Sequence, residues 1–200
     1  MERKTKIFET TYRDYLARLP QQDLPAVAER LGATMAGEEM TIPFFTRPYR
    51  VSANGIYDLS GNQANFAVSV VLCQYILRCP DKPPPDSGWV SFRDFKNAGP
   101  LMGNFAANTH RLIAQRFSGR SQQLDIACRT LGGQTEESDL SYDLSLRFDA
   151  LPRVPIFLLF NDKDSEFPAQ CNLLFKPSAE YYLDMECLSI IGTFLAGNLN

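Results

Sequence analysis

Histidine is scarce in this 200-residue chain, and His110 is the only one. A Ser-His or Cys-His catalytic pair therefore has a single imidazole to draw on, and no G-x-S-x-G nucleophile elbow accompanies it. The five cysteines are scattered without a C-x-x-C pair, so they supply no framework for zinc or an iron–sulfur cluster. We expect no dedicated metal site and reduced, mostly buried thiols, as in a cytoplasmic protein.

The chain also lacks the glycine-rich loops that hold phosphates, since neither G-x-G-x-x-G nor G-x-x-x-x-G-K-[ST] occurs. Its 20 Lys and Arg residues nearly balance 23 Asp and Glu residues, giving a net charge of −3. A nucleic-acid-binding surface needs clustered positive charge to neutralise phosphates. The composition therefore argues against nucleic acid as a partner, and no cofactor signature is evident.

Long hydrophobic runs are missing as well. The longest candidate, residues 64–77, is interrupted by polar side chains and is shorter than the roughly 20 apolar residues that a membrane span needs. The basic start "MERKTK" is not followed by the apolar segment of a signal peptide. We therefore expect a soluble, cytoplasmic protein without a membrane partner.

The residues that are present predict one α+β domain with a single sizeable core, because 44% of the chain is hydrophobic. Residues 1–38 read as a helical N-terminal segment, and residues 39–200 as a mostly antiparallel sheet with helices packed on it. Helical spacing and capping signals predict helices at 8–19, 23–32, 60–78, 104–117, 122–131 and 185–195. Alternation and turn signals predict strands at 40–45, 47–52, 56–59, 142–151, 153–160 and 169–177.

Two polar features of the predicted helices lie either at the surface or in a functional site. Asn65, Ser69 and Cys73 recur every four residues and form one polar stripe on an apolar helix. The stripe faces either solvent or a buried pocket, and solvent is the simpler interpretation. His110 lies off the apolar face of its helix, where a surface position is favoured over an acid–base or metal role.

The segment "FNDKDSEFPAQ" places Asp162, Asp164 and Glu166 at alternate positions after an apolar strand. An EF-hand would need Gly at position six and Glu at position twelve, and both are missing. Three interpretations stay open: a solvated turn, a contact with a ligand or partner, or an improvised divalent-ion site. The turn is favoured, although Phe167 places an aromatic ring beside Glu166.

A ligand site is expected where aromatic and charged residues meet. Trp89 and Phe92 offer stacking faces, and Arg93 offers a positive charge, as do Arg47 and Arg50. The complete set of predicted ligand-binding residues is Trp89, Phe92, Arg93, Asp162, Asp164, Glu166 and Phe167. No catalytic residue is assigned, and an enzyme would have to rely on Glu166, Asp162, Arg93 and Arg111.

Several stretches resemble a known family. They are "LPRVP" before a strand, "D-S-EFPA" after it, "LF-x-x-SA-x-x-YL", and the acidic start of the last helix, together with "TIPFFTRPYRVS" and "WVSFRDF". The likeness runs from about Thr41 to the end and points to the bacterial and archaeal family called domain of unknown function 3786. That resemblance implies occurrence mainly in anaerobes, sometimes joined to an iron–sulfur segment, with a hint of one-carbon or corrinoid metabolism.

Two functions therefore remain. The first is a small-molecule or cofactor binding module of anaerobic metabolism. The alternative is a non-catalytic accessory protein, whose partner covers the sheet rim around "DKDSEFPA" and the prolines of "PDKPPPD". A pocket lined by aromatic and charged residues would favour the first, and a flat apolar patch the second.

Overall fold

The N-terminal part of the chain is helical, as the sequence predicts. The structure, a computed structural model, describes residues 2–136 and 141–200, with side chains from residue 10 onward. Helix α1 spans Glu2–Arg18 and helix α2 spans Leu24–Leu31. Asp23 caps α2 by accepting a hydrogen bond from the backbone N–H of Ala26, and Gly32 ends it in the left-handed conformation. Both capping predictions are confirmed.

A four-stranded antiparallel meander follows, with strands β1 Thr34–Ala36, β2 Glu39–Phe44, β3 Arg47–Ser52 and β4 Gly55–Asp58 in sequential order. A tight turn at Ala53-Asn54 joins β3 to β4, one residue before the predicted Asn54-Gly55, and Gly55 at the start of β4 has a φ of 135° that other residues rarely adopt. Strand β1 was not predicted, because three residues are too few to show an alternation.

Helix α3 spans Phe66–Leu77 and starts later than the sequence predicts. The expected capping box of Ser60 and Gln63 does not form, because Gln63 is held in a bridge with Tyr57. The N-cap is Asn65, whose side chain accepts a hydrogen bond from the N–H of Val68. The loop before the helix thus extends β4 rather than beginning α3.

Two of the three residues of the polar stripe on α3 face protein, whereas Asn65 at its start is exposed. Ser69 and Cys73 are both fully buried, and α1 packs over this side of α3. Gln74 donates a hydrogen bond to the Tyr15 hydroxyl of α1 at 2.8 Å. Burial raises the pKa of Tyr12, whose ring lies beside Cys73 and Ser69. The solvent interpretation therefore holds for Asn65 and was wrong for Ser69 and Cys73, which lie at the contact with α1.

The second sheet has five strands, all with antiparallel neighbours, in the order β5-β9-β8-β7-β6. The strands are β5 Val90–Ser91, β6 Gln134–Thr135, β7 Leu144–Leu151, β8 Val154–Asn161 and β9 Gln170–Phe175. The predicted α+β class is confirmed, with two antiparallel sheets where one was expected.

The two faces of this larger sheet differ in character. Leu146, Leu158 and Leu173 lie in register on the inner face and belong to the main core. Phe157 and Leu159 alternate with them on the outer face, yet they are also nearly fully buried. Side chains outside the main core must therefore cover part of the outer face.

The remaining helices are α4 Met102–Asn108, α5 His110–Phe117, α6 Ser121–Thr130, α7 Ala179–Tyr182 and α8 Met185–Asn198. Helices α4 and α5 replace the single helix predicted over 104–117. The break lies at Thr109, with φ −125° and ψ −85°, where the hydroxyl donates a hydrogen bond to the carbonyl of Phe105. Such local bonding competes with the regular helical pattern.

Helix α8 and one tight turn connect the two sheets. Phe45, between β2 and β3, adopts a left-handed φ of 52° and donates its N–H to the carbonyl of Ala150 in β7. Its ring stacks on Phe194 of α8 at 5.2 Å. One continuous hydrophobic core results. Among the described helices, none is both long and apolar enough to cross a bilayer.

Candidate functional site

One edge of the larger sheet is only partly covered by a strand. Strand β5 has two residues, and it pairs with β9 only at Phe175 and Leu174. At the next position, the N–H of Leu173 donates to Nε2 of His110 in α5, at 3.1 Å. The His110 imidazole thus accepts the β9 hydrogen bond that lies just beyond the end of β5. This bond holds α5 against β9.

His110 is therefore a half-buried structural residue, and the prediction of a surface position was wrong. The polar flank of α5, which begins after the break at Thr109, faces the edge of β9. Burial lowers the pKa of His110. An Nε2 that accepts an N–H must be unprotonated, so the neutral ring carries its proton on Nδ1. No protein acceptor for that proton is present among the described residues.

A groove of about 500 Å³ opens beside this contact, between the outer face of the sheet and helix α4. Its size falls in the range of small-molecule sites, and its walls combine apolar surface with a few polar groups. The polar lining residues are Ser91, Arg93, His110, Tyr142 and Asn172. The apolar lining residues are Phe92, Met102, Phe105, Ala106, Leu159 and Leu174.

Two of the predicted ligand residues line this groove. Phe92 is 2% exposed and stacks on Phe105 with 4.1 Å between ring centroids, so it supports the wall from within the core. The Arg93 side chain is 76% exposed, and its contact with Asp94 is a loose ion pair at 3.8 Å. Such an exposed pair is weak, which leaves the Arg93 guanidinium free to meet a ligand.

Trp89 lies on the same sheet face but does not line the groove. Its ring packs on Phe157 at 5.1 Å, and the Lys176 ammonium stands 4.3 Å from the ring centroid. Trp89 therefore covers the buried outer face described above. Arg47 and Arg50 belong to the smaller sheet, where Arg50 pairs with Glu39 at 3.5 Å.

Asp162 holds a loop in place. Its carboxylate accepts hydrogen bonds from the backbone N–H groups of Gly119, Lys163 and Ser121 at 2.5, 2.7 and 3.2 Å. The bond to Ser121 caps the start of α6. Partial burial opposes the charge, but the amide hydrogen bonds outweigh it and lower the pKa of Asp162.

The other residues of that segment form a turn. Asp164 accepts hydrogen bonds from the N–H groups of Glu166 and Phe167, both at 2.7 Å, which lower its pKa. Glu166 is exposed, and Phe167 is 60% exposed. None of these residues, nor Asp162, lines the groove. The described residues contain no group of three His, Cys, Asp or Glu side chains placed to hold a metal ion.

The sequence matches the family model for a domain of unknown function, DUF3786, over residues 23–198. The chain belongs to the DUF3786 family. The resemblance read from the sequence is confirmed, and the match begins earlier, at the start of α2 rather than near Thr41. No curated protein and no solved structure matches the chain significantly.

All groove residues of this DUF3786 chain lie inside the matched region, whereas α1 precedes it. Sequence reasoning missed His110, Asn172, Ser91 and Tyr142 as members of one site. Asn172 carried a readable signal, because a polar residue in an apolar strand marks the face away from the core. Its meeting with His110 depends on the α4–α5 break, which no local pattern announces.

Proposed function

We propose that this DUF3786 chain is a binding module for a small, flat, anionic molecule that lies in the groove. One observation carries the proposal. Arg93, His110 and Asn172 converge over an apolar floor in a groove of about 500 Å³. A few polar groups over apolar surface are the usual means of orienting a ligand.

The polar groups differ in what they offer. Arg93 presents a guanidinium that binds a carboxylate through two parallel hydrogen bonds. His110 presents Nδ1–H as a neutral donor, and the Asn172 amide offers both a donor and an acceptor. Leu159, Leu174 and Phe105 give the flat part of the ligand an apolar surface. The preferred ligand is therefore an aromatic or heteroaromatic carboxylate.

Binding fits this lining better than acid–base catalysis does. No Asp or Glu is among the described residues that line the groove, and Nε2 of the one imidazole is occupied by Leu173. A proton-transfer site needs a titratable group free to reach the substrate. The anaerobic setting implied by the family resemblance makes pterin carboxylates part of the proposed ligand class.

The test is a thermal unfolding series with nicotinate, benzoate and pterin-6-carboxylate, and with nicotinamide as the uncharged match for nicotinate. A ligand selective for the folded chain raises the midpoint. We expect a carboxylate probe to raise it and nicotinamide to do so less. Arg93→Gln should remove the difference, whereas Arg47→Gln, which makes the same charge change on the smaller sheet, should keep it. Equal shifts in both variants would refute the role of the groove.

The alternative, an accessory protein with a partner on the sheet rim, rests on Phe167, which is 60% exposed beside Pro168. The proline loop lies elsewhere, because Pro80 and Pro83 pack near Arg153 at the opposite end of β8. An eight-residue strand places these two surfaces roughly 25 Å apart. A single exposed ring is not a patch, so the structure favours the ligand module. The alternative gains support if no probe shifts the midpoint.

A further inference from the structure

A second concave site lies at the opposite end of β8 from the rim segment. It has a volume of about 300 Å³ and is bounded by the end of α2, the proline loop after α3, and the turn between β7 and β8. Its lining residues are Glu29, Arg30, Pro80, Pro83, Arg153 and Tyr182. Two arginines thus face a small cavity that contains one carboxylate.

Arg153 is fixed by hydrogen bonds that do not use the end of its guanidinium. Its Nε donates to the carbonyl of Arg30 at 2.9 Å, and its backbone N–H donates to the Tyr75 hydroxyl at 3.0 Å. Tyr75 in turn donates to the carbonyl of Leu31 at 2.9 Å. Both terminal nitrogens of Arg153 have no protein acceptor among the described residues. The side chain is therefore held in place while the N–H groups of both terminal nitrogens stay available.

Arg30 has only a weak partner in the same place. Its Nη1 lies 3.7 Å from the carboxylate of Asp81, whose side chain is 98% exposed. A contact with the Cys79 thiol, together with nearby carboxylates, raises the pKa of Arg30, which therefore stays charged. Asp81 is exposed and does not line the cavity, so this weak ion pair leaves the Arg30 guanidinium available to an anion in the cavity.

Tyr182 completes the cavity. It is 5% exposed, and its ring lies 5.9 Å from that of Tyr75. Burial raises its pKa, so the hydroxyl keeps its proton and can donate it in a hydrogen bond.

We propose that this cavity binds a phosphate group, bridged by the guanidinium groups of Arg30 and Arg153 with the Tyr182 hydroxyl as a further donor. Arginine recognises tetrahedral oxyanions through paired, charge-assisted hydrogen bonds. The Glu29 carboxylate at the cavity wall repels any anion, so the phosphate group would lie on the side of the two arginines. The volume suits free phosphate or the phosphate end of a small monoester. This site is separate from the groove and does not depend on its function.

Calorimetric titration at constant ionic strength tests the proposal, with inorganic phosphate and glycerol 3-phosphate as the two probes. We expect at least one to bind, and the tighter of the two identifies the source of the phosphate group. Arg30→Gln and Arg153→Gln should each weaken binding by about tenfold or more. Asp81→Asn should strengthen it, because the competing carboxylate is removed.

Arg47→Gln is the control, since it removes one positive charge from an exposed site on the smaller sheet. Thermal unfolding without phosphate establishes that each variant is folded. Should Arg153→Gln fail to fold, Arg30→Gln and Asp81→Asn still give opposite expected changes. Absence of binding by both probes, or an equal loss in Arg47→Gln, would overturn the proposal.

Discussion

Asp162 fixes the loop between α5 and α6 by accepting hydrogen bonds from the backbone N–H groups of Gly119 and Ser121, and it accepts a third from Lys163 beside it. We expect Asp162→Ala to lower the free energy of unfolding by about 1–3 kcal/mol, because it leaves these donors without their charged acceptor. Glu166→Ala, four residues away on an exposed turn, should change it by less than about 0.5 kcal/mol. Urea unfolding of both variants measures the difference. Equal effects would show that Asp162 has no special structural role.

The lowered pKa of Asp162 also gives its contribution a direction with pH. A carboxylate with a depressed folded pKa stabilises the fold above its unfolded pKa of about 4, and this contribution is lost as the pH falls through the folded value. The structural role of Asp162 has no local signature in the sequence. The alternation of Asp162, Asp164 and Glu166 does not distinguish one acid from another. The role of Asp162 depends on a loop about 40 residues earlier in the chain.

His110 contributes in the same direction as Asp162, but at a higher pH. Its folded pKa is lowered by burial, so the unfolded chain takes up a proton first as the pH drops. Its share of stability is complete above the unfolded pKa of about 6.5 and falls as the pH drops below it. We expect urea unfolding to show a loss of stability between pH 7.5 and 5.5 that is smaller in His110→Gln. An unchanged pH dependence in the variant would contradict the buried, neutral imidazole.

At the scale of elements, the contact between α4 and α8 depends on a glycine. A Cβ on Gly192 would lie 2.5 Å from Cε2 of Phe105, which is stacked against Phe92 and cannot move away. Gly192→Ala should therefore cost about 1–3 kcal/mol of stability despite alanine's better helix propensity. Because Phe105 lines the groove, the same variant should weaken probe binding.

Gly197 provides a matched control in the same helix, since a Cβ there meets nothing within 4 Å. Gly197→Ala should raise stability by up to about 1 kcal/mol through helix propensity alone. Thermal or urea unfolding of the two variants compares them directly. If both alanines were stabilising, the close approach of α8 to Phe105 would be contradicted.

Element types were largely readable from the sequence, whereas several boundaries were not. The caps Asp23 and Asp184 act on neighbouring N–H groups, so local patterns suffice to find them. The start of α3 depends on the bridge between Gln63 and Tyr57 in the preceding strand, and the break at Thr109 interrupts a run whose apolar spacing is that of one continuous helix. The same limit explains the buried part of the polar stripe, because its partner α1 lies over 40 residues earlier.

At the scale of the whole molecule, both candidate sites lie at the larger sheet, in different places. The groove forms at the open edge of β9, where β5 is too short to pair fully, and the arginine cavity forms at the far end of β8. Phe92 and Arg93 were predicted as ligand residues and lie at the groove. Asp162 and Asp164 were also predicted as ligand residues. Their carboxylates instead accept hydrogen bonds from backbone N–H groups of nearby loops.

The most direct test of the account is to fill the groove without changing its charges. Ala106 lines the groove, and its neighbour Ala107 is exposed on the same helix and does not. Calorimetric titration with the carboxylate that shifts the unfolding midpoint most should show binding lost in Ala106→Phe and retained in Ala107→Phe. Retention of binding in Ala106→Phe, with the variant folded, would contradict the groove as the ligand site of this DUF3786 chain.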